Sequence, residues 1–196
     1  MDETSLSLLN RVGRSGDRQS WDRLVGLYGP LVRRWLRNYD VQDADADDLV
    51  QEVLTTVVHE LPQFDHNQRT GAFRTWLRRI LVNRLRNFWR ERQHRPVATG
   101  GSSVLERLNE LEDETSNTSR IWDAEHDQAV VARLLELLQP NFAGKTWEAF
   151  RRQMFDGQRA DQVAAELEMP ISSVYVARSR VLSALRREAA GLVDSI

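Results

Sequence analysis

Cysteine is absent from this chain of 196 residues, and long apolar runs are absent as well. Without cysteine the chain can form no disulfide framework, no thiolate metal site and no cysteine nucleophile, which is compatible with a reducing compartment. No apolar run approaches the roughly 20 residues that a membrane helix needs. The amino terminus, MDETSLSLLNRVGRSGD, starts with acidic residues, unlike a signal peptide. We therefore expect a cytoplasmic protein with no membrane contact.

Signals for strands and for enzyme sites are also scarce. Runs of alternating β-branched residues are few, whereas apolar residues recur at three- and four-residue steps, so an all-α protein is predicted. The four histidines are scattered without metal-site spacing, and no glycine-rich phosphate loop occurs. His126, which lies near Asp123 and Glu125, is expected at the surface. The sequence thus predicts a non-enzyme without metal or cofactor.

The net charge of −2 conceals a strong segregation of charge along the chain. The stretch from Asp40 to Glu52 contains six acids and no base. The stretch from Arg74 to Arg95 contains eight arginines and one acid, Glu91. An acidic helix followed by a strongly basic one is therefore predicted.

The apolar periodicity predicts two small helical domains. Residues 1–95 form the first, a compact bundle whose basic helix runs from about Gly71 to Arg92. Residues 96–121 are rich in Gly, Ser and acids, which is typical of a flexible linker, with one short helix near its leucines as an option. Residues 122–190 form the second domain, and 191–196 are a tail.

The second domain ends in a pattern typical of a helix-turn-helix. A short helix from Asp161 to Glu168 precedes a longer helix that starts near Ile171, where Ser172 or a neighbour is expected to act as the cap. Glu168 stands where such turns usually carry glycine to reach a left-handed backbone, so the turn is expected to be different or strained. The outer face of the longer helix carries hydroxyl and guanidinium groups, which bond base edges and phosphates. These residues are Ser172, Ser173, Tyr175, Arg178 and Ser179. The segment alone is also compatible with a helical hairpin that has a solvated basic face.

Three stretches, in their order and spacing, together resemble extracytoplasmic-function sigma factors of the bacterial sigma-70 family. They are DADDLVQEVLTTVV (43–58), GAFRTWLRRILVNRLRNFWRER (71–92) and the helix-turn-helix. The resemblance covers residues 20–95 and 122–190. It implies a factor that binds core RNA polymerase and directs promoter-specific initiation, with region 2 in the first domain and region 4 in the second.

The resemblance also implies roles for individual residues. Asp48, Gln51 and Glu52 would dock on the clamp helices of the largest polymerase subunit. The basic helix would capture the minus-ten element as a single strand, through Arg79, Asn83, Arg84, Arg86, Asn87 and Arg90. The five outer residues of the recognition helix would read the minus-thirty-five element while the domain leans on the polymerase flap. An anti-sigma factor is a further partner that the resemblance allows.

Two other functions compete with this hypothesis. A stand-alone helix-turn-helix regulator would bind an operator without polymerase, but it leaves the basic helix of 71–92 unexplained. An enzyme finds little support, because the sequence offers no catalytic or metal-binding pattern.

Overall fold

The computed structural model describes residues 8–15, 18–64, 71–93 and 101–193. Within these ranges the chain is all-α, as predicted, and Ala190 and Val193 form only an isolated bridge. The helices are α1 (Leu8–Ser15), α2 (Arg18–Arg37), α3 (Asp43–Glu60), α4 (Ala72–Gln93), α5 (Gly101–Glu112), α6 (Asn117–Leu138), α7 (Gly144–Met154), α8 (Ala160–Glu166) and α9 (Ile171–Ala189). Short 3₁₀ turns follow α3 at Leu61–Gln63 and α6 at Gln139–Asn141. No described helix is long and apolar enough to cross a membrane.

The ends of α3 and α4 follow from local chemistry. Asp43 and Asp45 lie in the first turn of α3, where carboxylates interact favourably with the helix dipole. Pro62 lies within the 3₁₀ turn that ends this helix, since proline cannot continue the α-helical hydrogen bonds. Gly71 precedes α4 with φ of 73°, a left-handed conformation that glycine adopts without strain. The acidic and basic helices predicted from the sequence are therefore both present.

Helices α1 to α6 and the carboxyl-terminal end of α9 together form one large apolar core. Trp35 of α2 and Trp122 of α6 lie at its centre, with their ring centroids 4.4 Å apart. Ala184, Leu185 and Ala189 of α9 are buried in the same core. Glu188 of α9 also pairs with Arg11 and Arg23, at 3.3 Å from each. The last helix is thus fastened to the first two.

The short helix that the sequence allowed near the leucines of segment 96–121 is present as α5, and its packing makes residues 101–112 more ordered than a flexible linker. Val104, Leu108 and Leu111 of this helix are fully buried in the large core. Their spacing of four and three residues places them on one helical face. The polar residues around them favoured a linker on composition, but three apolar side chains on one face are enough to dock the helix.

A smaller core holds the helix-turn-helix. Ala149 of α7, Val163 of α8, and Val174 and Ala177 of α9 form its centre. Helix α9 therefore contributes its first half to this small core and its last turns to the large one.

The turn between α8 and α9 has the strain expected from the sequence. Glu168 adopts φ of 50°, in the left-handed region that favours glycine. The predicted serine cap is wrong: Pro170 occupies the N-cap position of α9, and no side chain accepts a capping hydrogen bond there. Because Pro170 precedes the first helical residue, Ser172 already lies inside the helix.

Candidate nucleic-acid and polymerase interface

Helix α3 presents an acidic face. Leu49 and Val53 are buried, and this orientation leaves Asp48, Gln51 and Glu52 exposed on the opposite side. The three side chains line one open groove. A helix that buries its apolar stripe in this way offers a contiguous acidic surface to a basic partner.

Arg84 connects this acidic face with the basic helix. Its Nη2 donates a 2.8 Å hydrogen bond to Oγ1 of Thr56, and its Nη1 lies 4.0 Å from a carboxylate oxygen of Glu52. Thr56 and His59 line the same groove and were missed from the sequence. Their spacing of four and seven residues from Glu52 was the available signal, because such residues share a helical face.

The basic helix α4 divides its predicted DNA-binding residues into two sets. Asn83, Asn87 and Arg90 are exposed. Arg86 is largely covered, because its Nη2 donates to Oδ1 of Asn109 at 2.7 Å and to Oε2 of Glu112 at 2.6 Å. The hydrogen bond from Arg86 lowers the pKa of the Glu112 carboxyl group below its ordinary value. Arg79, although 65% exposed, pairs with Glu114 at 2.9 Å.

The aromatic residues of α4 also separate into inner and outer positions. Phe73 and Trp89 are buried, while Trp76 and Phe88 are half-buried. Of the adjacent pair Phe88 and Trp89, only Trp89 is therefore fully inside the core. The guanidinium of Arg92 lies over the Phe88 ring, 4.5 Å from its centroid. Phe88 therefore combines a partly accessible ring with a neighbouring cation.

Two further arginines of α4 fix α6 against the bundle. Arg74 contacts Asp123 at 3.1 Å and Asp127 at 2.8 Å, and Arg78 contacts Asp123 at 3.0 Å. Both arginines are buried. Burial raises the pKa of Asp123 despite these arginines. Burial also opposes ionisation of Asp127, but hydrogen bonds from His126 and Arg74 hold its pKa below the ordinary value.

His126 is fully buried, so the surface position expected from the sequence is wrong. Its Nδ1 lies 2.8 Å from Oδ1 of Asp127, and its Nε2 lies 3.3 Å from the hydroxyl of Tyr28. Because an ionised carboxylate only accepts hydrogen bonds, Nδ1 carries the proton and Nε2 accepts from Tyr28. Burial lowers the pKa of His126, and Asp127 opposes that shift only in part. This histidine is thus a neutral core residue that joins α2 to α6.

The recognition helix α9 places most of its predicted DNA-reading residues in solvent. Ser172, Tyr175, Arg178 and Ser179 are exposed, and Ser173 is half-buried. A groove next to them is lined by Tyr175 and Arg178 together with residues that the sequence did not single out: Gln153, Arg159, Ala160, Asp161 and Ile171. Proximity in sequence gave no signal for Gln153 and Arg159, because they precede the recognition helix by more than ten residues.

In the described ranges, no cluster of three or more His, Cys, Asp or Glu side chains has the arrangement of a metal site.

Comparison with known proteins agrees with this arrangement. The family model for Sigma-70 region 2 matches residues 24–95, which include α3 and α4. The chain is similar to the RNA polymerase sigma factor NccH of Alcaligenes xylosoxydans xylosoxydans, at 29% identity over 66% of this chain and 67% of the relative. It is 32% identical to the RNA polymerase sigma factor CnrH of Cupriavidus metallidurans, over 50% of this chain and 48% of that relative. It is 29% identical to the ECF RNA polymerase sigma-E factor of Escherichia coli K12, over 92% of this chain and 90% of the relative.

Proposed function

Because the chain belongs to the extracytoplasmic-function sigma factors of bacterial RNA polymerase, we propose that its exposed surfaces divide polymerase docking and promoter recognition between them. A sigma factor binds core RNA polymerase and promoter DNA and directs initiation. The observation that carries the division of labour is the contrast between two adjacent helices: the acidic face of α3 and the basic face of α4, joined through Arg84.

The acidic face of α3 is the proposed polymerase-docking surface. Asp48, Gln51 and Glu52 would contact the clamp helices of the largest polymerase subunit. Carboxylates that meet a basic partner steer the encounter and fix its orientation. The exposure of all three side chains supports this role.

The outer face of α4 is the proposed minus-ten surface. Asn83 and Asn87 supply both donors and acceptors for flipped bases, and Arg79, Arg84, Arg86 and Arg90 supply cations for phosphates. A base taken out of the stack needs such groups around it, because its Watson–Crick edge is then accessible.

The helix-turn-helix is the proposed minus-thirty-five reader. Tyr175 and Arg178, together with Ser172, Ser173 and Ser179, would enter the major groove, and the surrounding domain would lean on the polymerase flap. We propose that residues 1–95 and 122–190 recognise different promoter elements in the initiation complex, although α6 and the end of α9 share the large core with α1 to α5 in the free chain.

Three further properties belong to this proposal. The chain would work in the cytoplasm, where its polymerase partner acts, and it would carry no catalytic activity, since the chemistry belongs to the polymerase. An anti-sigma protein that covered the α3 and α4 surfaces would hold the factor inactive.

The docking assignment is tested by reversing charge at Asp48 and Glu52 together (Asp48→Arg, Glu52→Arg) and measuring co-migration with core enzyme in gel filtration. The matched control reverses Glu106 and Glu110, which are also exposed and also four residues apart on a helix. We expect the first variant to lose association and the control to retain it. Equal association of both variants would contradict the docking surface.

A further inference from the structure

One side of the basic helix is covered by acidic residues from the same chain. Arg86 bonds Asn109 and Glu112 of α5, and Arg79 pairs with Glu114 in the loop that follows. These partners are 23 to 35 residues away in sequence, so the contacts are built by the fold rather than by helical neighbours. The segment from 109 to 127 thus lies along α4 in a defined way.

The pairing continues along α4 in antiparallel order. Arg74 meets Asp127 and Asp123, Arg78 meets Asp123, Arg79 meets Glu114, and Arg86 meets Glu112 and Asn109. Residues later in α4 therefore contact residues earlier in the segment 109–127. The carboxylates that reach the outer arginines, Arg79 and Arg86, have the negative charge and the acceptor oxygens that a nucleic-acid backbone would present.

The paired arginines include two of those placed at the minus-ten surface, Arg79 and Arg86. The guanidinium Nη2 of Arg86 cannot hydrogen-bond Asn109, Glu112 and a DNA strand with the same protons. Arg79 is likewise engaged by Glu114. Asn83, Asn87 and Arg90 are exposed in this arrangement. The surface is therefore partly occupied before any DNA arrives.

We propose that Glu112 and Glu114, in the acidic segment 109–114, compete within the chain with the single DNA strand for Arg79 and Arg86, so that capture of the strand displaces these two carboxylates from α4. The inference rests on the proposed function, because it takes Arg79 and Arg86 as DNA-binding residues. It adds that in the free chain Arg79 and Arg86 are held in ion pairs with Glu114 and Glu112.

The pairs differ in how easily they can be exchanged. Arg79 and Glu114 have exposed side chains, at 65% and 54%, and exposed ion pairs contribute little to stability. Glu112 is 47% exposed, although its partner Arg86 is largely covered. Arg74 and Arg78, in contrast, are buried against Asp123. The outer pairs therefore open for DNA, while the inner ones keep α6 anchored.

The test compares the full-length chain with its Glu112→Gln, Glu114→Gln variant, without polymerase. Fluorescence anisotropy measures binding to a labelled pool of random single-stranded 12-nucleotide DNA at low salt. We expect the variant to bind about three- to tenfold more tightly, the range that the loss of two partly exposed ion pairs allows. The matched control, Glu106→Gln with Glu136→Gln, makes the same change in net charge outside the acidic segment. Glu106 and Glu136 are exposed, and Glu136 pairs with Arg133 within α6.

An equal gain in the two variants would overturn the inference, because net charge alone would then explain it. No gain in the Glu112, Glu114 variant, with a lower melting temperature, would also overturn it and would identify the pairs as structural. Promoter-dependent transcription with core enzyme is measured in parallel. If the wild-type chain initiates transcription normally but the Glu112→Gln, Glu114→Gln variant binds single-stranded DNA no more tightly than wild type, the proposed competition is disproved and the proposed function is retained. If no chain initiates, it is the proposed function that fails.

Discussion

Tyr28 and His126 are 98 residues apart in the sequence, yet the Tyr28 hydroxyl lies 3.3 Å from Nε2 of His126 inside the core. The other ring nitrogen, Nδ1, lies 2.8 Å from Oδ1 of Asp127, and Nη1 of Arg74 in the basic helix donates a 2.8 Å hydrogen bond to Oδ2 of Asp127. This chain of contacts crosses α2, α4 and α6. The stability of the core is therefore coupled to the ionisation of one histidine.

We expect the free energy of unfolding to fall as the pH is lowered from 7.5 to 5.5. The buried His126 has a pKa below its ordinary value of 6.5, so the unfolded state binds a proton that the folded state resists. The stabilisation that comes from keeping His126 neutral is complete above the pKa of this histidine in the unfolded chain. It is lost as the pH falls below that pKa, by at most about 1.4 kcal/mol per pH unit. Urea unfolding at several pH values measures this slope. His126→Gln should flatten it, because it removes the buried titrating group. A slope unaffected by His126→Gln would contradict the assignment.

Glu168→Gly is expected to stabilise the helix-turn-helix. A non-glycine residue in the left-handed region costs about 1–2 kcal/mol, and glycine returns about 0.5–1 kcal/mol of this through its own chain entropy. The net gain should thus be about 0.5–1 kcal/mol. Thermal unfolding measures it, with Glu166→Gly inside α8 as the control that should destabilise. A lower melting temperature for Glu168→Gly would show that its side chain contributes more than the strain costs.

Asn83→Ala and Arg90→Ala are each expected to reduce open-complex formation by about tenfold, because each removes a contact worth roughly 1–2 kcal/mol to a captured strand. Association with core enzyme should be unchanged, since neither side chain lines the groove formed by Asp48, Gln51 and Glu52. Permanganate reactivity of unpaired thymines measures strand opening, and Asn141→Ala, at an exposed position in the turn after α6, is the control. Loss of association together with strand opening would indicate a folding defect instead.

Arg178→Ala is expected to relax selectivity for the minus-thirty-five element while selectivity for the minus-ten element remains. A bidentate arginine contact to a guanine is worth about 1–3 kcal/mol, so discrimination at one base pair should fall by about tenfold or more. Arg180→Ala is the matched control, because Arg180 is exposed on the same helix but does not line the groove beside Tyr175. Competition between promoters with single base changes measures the effect. Equal loss in both variants would indicate a general phosphate contact.

The sequence predicted those parts of the fold that depend on neighbours in the chain. The extent of α4 and the start of α9 follow from apolar spacing and from Gly71 and Pro170, which act locally. The burial of His126 could not be predicted in this way, because its partner Tyr28 is distant in sequence and a buried histidine needs such a partner.

The burial of one face of α5 could not be predicted from the sequence for a similar reason. Its buried residues, Val104, Leu108 and Leu111, stand among acids and amides, and composition alone favoured a linker. The contacts of Arg86 with α5 depend on the same tertiary arrangement. Which exposed residues bind polymerase or DNA stays a prediction, since exposure gives access but does not identify the partner.

The most direct test of the account is reconstitution of the purified chain with bacterial core RNA polymerase, followed by transcription from a library of randomised promoters. We predict co-migration with core enzyme and selective initiation, with the selected promoters sharing one element near minus ten and another near minus thirty-five. Failure to associate or to initiate, together with selection of a duplex operator by the chain alone, would contradict it and favour a stand-alone regulator.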